Sequence, residues 1–391
     1  MGTSQYLLGE LSRYVRTLRQ QSVAGWDLDI VTAVLPDHES AGFDLDGCPT
    51  VRVGNQYGFP WRRKSFSGSA TRAIANRKTI PAAIMLMDMD DQVAEFRSGQ
   101  RTSTRVIVRY DSALESGSLA RAFSQRRIAR SLAMADEIWT ANRWQLDSLR
   151  LLGLPAENVR LVPDCVMPTD VDLPERRDND NAAIRQAARK SLCSVYDGLK
   201  NAMNDPLVVC AVPMNLPQAM TSLMDTWRLV VREMPSAILW MVGDSVRSRD
   251  VVELAQQLDL DGNVCFPGAF DCLDDVFAAA NLLIHPAKTD EFAINLLTGM
   301  RTGRAALATW SESPMERWLQ DGENVFLMDA FEPKLSAKRI VELLDQQEAL
   351  DQVGVNARRD VAIHRHPRLF FETLNHCQRG NSSMDQYGAA Q

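Results

Sequence analysis

Between residues 207 and 328 six short apolar runs alternate with stretches of helical periodicity, and this alternation restricts the region to a parallel sheet with helices on its faces. Strands are expected at 207–212, 237–242, 264–266, 282–285, 305–309 and 325–328. Helices are expected at 218–233, 251–258, 273–280, 292–301, 315–319 and 335–344. The run Leu282–His285 is closed by Pro286, which cannot continue a ladder, so it suits a buried parallel strand. Behind the acidic pair Asp290 and Glu291, the residues Phe292, Leu296, Leu297 and Met300 fall at helical spacing, and Gly303 supplies the stop. Such a loop leaves backbone N–H groups and a positive helix end at the carboxyl edge of the sheet, where phosphorylated ligands bind.

The amino-terminal half repeats the alternation. Strands are expected at 28–34, 50–53, 82–87, 105–109, 137–140 and 160–162, with helical patterns at 69–76, 91–96, 119–134 and 143–152. Residues 6–21 read as an amphipathic helix that precedes the first of these strands, and the family resemblance set out below implies a further strand ahead of it, which is expected to be absent. Its loss would strip the sheet of a central member. Residues 168–181 are rich in Pro, Asp, Glu, Arg and Asn and lack periodicity. The expected organisation is a Rossmann-like domain at 1–167, a linker at 168–181, a second Rossmann-like domain at 182–360, a terminal helix at 361–379 returning to the first domain, and a disordered tail at 380–391.

Net charge is −7 over 391 residues, which argues against a general nucleic-acid-binding surface while leaving local basic patches open. The seven cysteines are scattered and lack metal-type spacing with histidines, so they read as reduced packing residues and no metal site is assigned. No window approaches the ~18 apolar residues of a membrane helix, and the amino terminus lacks a signal-peptide layout. A cytoplasmic protein is expected, with peripheral contact to the inner face of a membrane left open.

Several segments, taken in order, resemble the retaining, GT-B-fold glycosyltransferases of the family 4 type (glycosyl transferases group 1). They are Ala135-Asp136-Glu137-Ile138 with Thr140, Val159–Val166, Trp240-Met241-Val242-Gly243-Asp244, Asn263–Gly268, Asp290–Gly303, Glu316 and Asp321-Gly322-Glu323-Asn324. The resemblance implies two Rossmann-like, doubly wound α/β domains facing a central cleft. It also implies transfer of a sugar from a nucleotide-sugar donor, UDP- or GDP-linked, to an acceptor hydroxyl with retained configuration and no cofactor or metal. The acceptor would be a glycan, a lipid-linked molecule or a small molecule.

Carried over position by position, Asp290 or Glu291 would contact the sugar, and backbone N–H groups from Glu291 through Phe292 to Ala293 the phosphate. Thr298 would meet the ribose, Gly243, Asp244, Phe266 and Gly268 would line the nucleotide, and Asp111 would orient the acceptor or take its proton. The chain also departs from the family pattern. Aligning Gly299-Met300 and Gly303 with the family's motif puts Asp290 and Thr298 where two glutamates stand; the neighbouring register puts Glu291 and Gly299 there. Pro213 and Gln218 occupy the positions of the two phosphate-binding cations, and Tyr110 precedes Asp111 in place of His. Arg247, Arg249, Lys288 or Arg304 are the candidates to replace the missing charge. These departures support an alternative, a catalytically inactive binding or partner subunit on the same fold.

Phe59, Trp61, Arg62, Arg63, Lys64 and Phe66 form a basic and aromatic cluster in a region that reads as a loop, followed by Arg72, Arg77 and Lys78. It suits an anionic acceptor, an acidic lipid surface or a merely solvated face. Arg126, Arg127 and Arg130 are expected on the wet face of a helix whose other side carries Ile128 and Leu132. His285, at a strand end, suits either a phosphate contact or local hydrogen bonding.

Overall fold

The computed structural model describes residues 30–32, 50–52, 60–78, 81, 83–87, 92–98, 104–110, 119–140, 143–162, 166, 181–195, 203–211, 217–243, 248–268, 270, 273–286, 293–309, 318–328 and 331–366. The chain divides into two compact units, passing from the first to the second at residues 165–166.

In the first unit β1 (Ile30–Thr32) and β2 (Thr50–Arg52) form a parallel pair. Strands β3 (Ala83–Met87), β4 (Arg105–Tyr110), β5 (Glu137–Thr140) and β6 (Val159–Leu161) form a four-stranded parallel sheet in sequence order. Among the described residues the two sheets share no ladder. The helices are α1 (Pro60–Ala75), α2 (Val93–Ser98), α3 (Leu119–Leu132) and α4 (Arg143–Leu151). All four pack on one face of the larger sheet, where Ala70, Phe96, Leu132 and Leu149 meet Val106, Val108 and Ile138. Alternation along a strand sends the intervening residues to the other face. That face carries buried charge: Arg109 donates to Val162 O at 2.7 Å, and Glu137 accepts from Arg105, Arg160 and Trp139 Nε1 at 2.9–3.0 Å. A buried carboxylate held by two guanidinium groups is stable only while both partners remain.

Helix α1 corrects the loop expected at 59–66. It starts nine residues before the helix read from periodicity, with Pro60 as its first residue, where a missing N–H costs nothing. The basic and aromatic cluster is therefore on two helical turns.

The second unit opens with α5 (Asn181–Val195). Strands β7 (Leu207–Cys210), β8 (Ile238–Val242), β9 (Val264–Gly268), β10 (Leu282–His285), β11 (Ala306–Thr309) and β12 (Phe326–Met328) then form one parallel sheet. Their order is β12-β11-β10-β7-β8-β9, the doubly wound arrangement in which strand order reverses between β7 and β10. Between the strands run α6 (Pro217–Glu233), α7 (Ser248–Gln257), α8 (Asp274–Ala278) and α9 (Ala293–Arg301), followed by α10 (Pro333–Leu344) and α11 (Gln347–His364). One face of the sheet packs α5, α8, α9 and the second half of α11 through Ala188, Phe277, Leu297 and Ala357. The opposite face packs α6, α7, α10 and the first half of α11 through Trp227, Val251, Ile340 and Val353. Burial on both sides is why these strands read as unbroken apolar runs.

Two glycines set helix positions. A Cβ on Gly299 would run into Leu283 and Phe277, so α9 lies close against β10 and α8. A Cβ on Gly354 would meet the Gly303 carbonyl, so α11 lies against the backbone leading into β11. Helix α11 also runs without a break through residue 360, where the second domain was expected to end, and belongs to the second unit as far as His364.

Candidate functional site

The point where strand order reverses fixes where a ligand can approach. At the carboxyl ends of β7 and β10 the chain leaves in opposite directions, toward α6 on one face and α9 on the other. Both helices therefore aim their amino ends at the same edge, and neither has an acidic residue in its first turn. Unpaired N–H groups and the positive dipole end of each helix favour an anion there.

Beside this crevice β8 and β9 end in two glycines. Gly243 has φ 128° and Gly268 has φ 80°, and the Gly243 N–H donates to Gly268 O at 2.9 Å. Both conformations are open to glycine and strained for any residue with a Cβ. Pro267 explains the geometry: it has no N–H to give, and the β8–β9 register slips between Trp240 and Val242, so three steps on β9 face two on β8. Space for a Cβ is open at Gly268, so its backbone, rather than crowding, demands glycine.

Of the residues expected from sequence, Gly243, Phe266, Gly268, Ala293 and Thr298 lie in the described residues, and the structure brings the glycines and the start of α9 to the same sheet edge. Phe266 is half-buried and packs against the apolar cluster under α6 and α7. Ala293 is the first residue of α9. Thr298 is half-exposed one turn further on, whereas Gly299 faces Leu283. Asp111, Asp244, Asp290, Glu291 and Phe292 lie outside the described residues, as do Pro213, Arg247, Lys288 and Glu316.

The structure revises the supply of positive charge. Arg304 precedes β11, at the amino edge, and is 1% exposed with Nη2 donating to Asn181 O at 3.4 Å. It is buried at the wrong end of the sheet to meet a phosphate at the carboxyl edge. Arg249, in the first turn of α7, is at the correct edge but exposed, with Nε bonded to Glu253 at 3.0 Å. Gln218 is exposed in the first turn of α6.

The Asp-Gly-Glu-Asn stretch, which contributes to the resemblance, is consumed by structural bonds. Asp321 accepts from Leu327 N–H at 2.8 Å, and Asn324 caps Gln320 N–H while donating to Trp318 O and to Asp360 at 2.8–2.9 Å. Trp318 in turn stacks on His364, with ring centroids 5.2 Å apart.

Sequence reading missed two polar groups near the carboxyl edge. Asn295, in the first turn of α9, is 2% exposed, and its Nδ2 makes no hydrogen bond. Thr309, ending β11, is 1% exposed with an unbonded Oγ1. Their types carry no motif, and only burial makes them conspicuous. His285 is buried at the end of β10, on the side covered by α9.

Comparison with known proteins places these features in context. The family described as glycosyl transferases group 1 matches residues 205–346, which span all six strands of the second unit. EpsD of Bacillus subtilis (strain 168), whose name calls it a glycosyltransferase, is 25% identical over 156 residues. That match covers 40% of this chain and 41% of the relative, so the chain spans about two fifths of the length of the curated relative it matches. Sucrose-phosphate synthase from Thermosynechococcus elongatus superposes with a TM-score of 0.69 at 18% identity, covering 97% of this chain and 93% of that one. WaaG, a glycosyltransferase involved in lipopolysaccharide biosynthesis, gives 0.68 at 15% identity, covering 94% and 95%. HepE of Anabaena, solved in complex with UDP and glucose, gives 0.66 at 13% identity, covering 90% and 100%. These likenesses identify the fold: an α/β architecture with parallel sheets, of the GT-B type.

Proposed function

We propose that the chain is a glycosyltransferase that moves a sugar from a nucleotide-sugar donor to an acceptor hydroxyl with retained configuration. The observation that carries this reading is a coincidence of place. The family match at 205–346 covers the sheet whose reversal point is flanked by two helix amino ends without acidic first turns.

In the reaction the bond from the anomeric carbon to the diphosphate oxygen breaks, and a bond from the acceptor oxygen forms on the same face. The acceptor proton passes to Asp111 or to the departing diphosphate. Backbone N–H groups at residues 291–293 and the α9 dipole receive the charge that develops on the leaving group, a type of stabilisation that needs no rearrangement during the step. Asp290 or Glu291 holds the sugar. Between the two registers left open by the sequence, the packing of Gly299 against Leu283 favours Thr298 as the ribose contact, because only Thr298 keeps a half-exposed side chain. The pair Gly243 and Gly268 admits the nucleotide close to backbone, with UDP or GDP as the donor nucleotide. No metal ligand enters this scheme.

Calorimetric titration with UDP, GDP, ADP and their sugar conjugates tests the reading. Micromolar binding of one nucleotide, lost in Asp290→Ala and weakened in Thr298→Ala, is the expected result. Absence of binding at millimolar ligand by folded protein overturns it.

One observation favours a second reading, a non-catalytic partner subunit. The neutral Gln218 stands exposed in the first turn of α6 where the family resemblance implies a lysine, and Arg304 is buried at the opposite edge. Nucleotide binding without donor hydrolysis or transfer to any acceptor would support that reading.

A further inference from the structure

The charge of this protein is unevenly placed. Residues 60–78 and 119–134, which comprise α1 and α3 with their last turns, contain ten lysines and arginines and not one aspartate or glutamate. The rest of the chain holds the other 33 of 43 basic residues and all 50 acidic ones. Eight like charges on two helices, with Arg77 and Lys78 just past the end of α1, cost stability in a monomer and call for a reason.

Packing gathers the two helices on one side. Both helices cover the same face of the four-stranded sheet, with short α2 between them. Ser67 on α1 donates to Glu95 on α2, and Ser131 on α3 accepts from the Val93 N–H at 3.1 Å. Glu95 is the sole acidic residue of the three helices, and that bond occupies it. Arg72, Lys78, Arg126 and Arg130 are exposed, and among the described residues none of the four forms an ion pair, Arg72 bonding to Gly68 and Ser69 of its own helix. On α1 the exposed stripe runs through Gly68 and Arg72. Met134, just past α3, is 44% exposed.

We infer that this helical face docks on an anionic lipid surface. Parallel helices on one side of a sheet give a broad basic plane, which suits a bilayer better than a narrow groove would. An exposed methionine beside the cations matches the mixed interfacial environment of headgroups and upper acyl chains. At physiological ionic strength the attraction acts only within a Debye length of about 8 Å, so charges farther than that from the surface are largely screened. None of the described helices is long and apolar enough to cross a membrane, so the attachment is a surface one. The inference does not depend on the catalytic reading.

Co-sedimentation of the full chain with vesicles tests it. Binding is expected to phosphatidylcholine vesicles that contain phosphatidylglycerol and not to pure phosphatidylcholine, and to vanish near 1 M salt, where the Debye length falls to about 3 Å. The triple variant Arg72→Glu, Arg126→Glu, Arg130→Glu should bind roughly a hundredfold more weakly, at about fivefold per cation. The variant Lys190→Glu, Lys334→Glu, Lys338→Glu, with the same change in net charge on the second unit, should bind as the parent does. Both variants alter exposed positions, so equal urea midpoints are expected. If the triple variant fails to fold, Arg130→Gln alone, expected about fivefold weaker, decides the question. Indifference to both vesicle types, equal loss in the two variants, or a patch that binds oligonucleotide or polyglutamate while ignoring vesicles would each overturn the inference.

Discussion

The two edges of the six-stranded sheet are built from the same strands yet use their polar residues in opposite ways. At the amino edge a set of polar side chains is spent on structure. Asn263 donates to Pro235 O and Ala237 O, and its own carbonyl accepts from Trp227 Nε1, all at 2.8–3.0 Å. Asn281 accepts from Leu207 N–H and Arg189 and donates to Gln347, which continues to Asp351 and Arg185. Arg189 also donates to the carbonyls of Ala279, Met203 and Asp205. Burial, and then the neighbouring Arg185 charge, lower its guanidinium to about 10. At the carboxyl edge, by contrast, Asn295 Nδ2 and Thr309 Oγ1 are buried and unbonded. Stability is anchored at one end so that the other can keep unmet bonding capacity for a ligand.

The comparison can be broken, beginning with the largest expected effect. Asn281→Leu removes three bonds and strands the Leu207 N–H and part of Arg189, so unfolding in urea should show a loss of about 3–4 kcal/mol. Nucleotide affinity of the folded fraction should be unchanged; if affinity falls as steeply as stability, the edges are not separate. Gly354→Ala forces a methyl into the Gly303 carbonyl, and the same measurement should show a loss of about 2 kcal/mol.

At the carboxyl edge the expected signs reverse. Gln218→Lys places a cation in the first turn of α6, and a charge-assisted bond to phosphate adds about 1.5–3 kcal/mol. Calorimetry should then show nucleotide binding tightened by roughly ten- to a hundredfold, with the urea midpoint nearly unmoved. No gain would mean that the diphosphate does not lie at α6.

The smallest effect concerns acid. Burial pushes the Asp360 carboxyl up, but hydrogen bonds from Arg359 and Asn324, with the charges of Arg359 and His364, outweigh it and hold the group below its ordinary value. A lowered folded-state value gives stability that is present above the unfolded carboxyl value near 4 and lost as pH falls through the folded one. Asp360→Asn should flatten the dependence of stability on pH below about 4. A parallel shift with unchanged slope would show that Asp360 contributes only packing.

Much of the architecture was legible. Bounds for β5 and β10 are those expected from sequence, and the ends of the other strands shift by at most two residues. Helices were read less well where packing, not period, makes them. Pro60, Pro217 and Pro333 each open a helix one or more residues earlier than the apolar pattern suggests, and proline at the first helical position was the available signal. The first half of α11 carries Gly354 and few apolar residues, so nothing in its periodicity announced that it docks on Gly303. At the site, Gly243 and Gly268 were legible as glycines in a motif, whereas Asn295 and Thr309 were ordinary polar letters until burial left them unbonded.

Sequence alone determined the alternation of strand and helix, and with it a parallel sheet, because a period of two or 3.6 is written locally. It also determined which loops face the carboxyl edge, since every strand of a parallel sheet ends there. Only the tertiary structure decided that Arg304 belongs to the amino edge, that residues 60–66 are helical, and that α1 and α3 with their cations pack on one face of the sheet. Those facts depend on distances between residues far apart in the chain, which are set by how helices pack on a sheet.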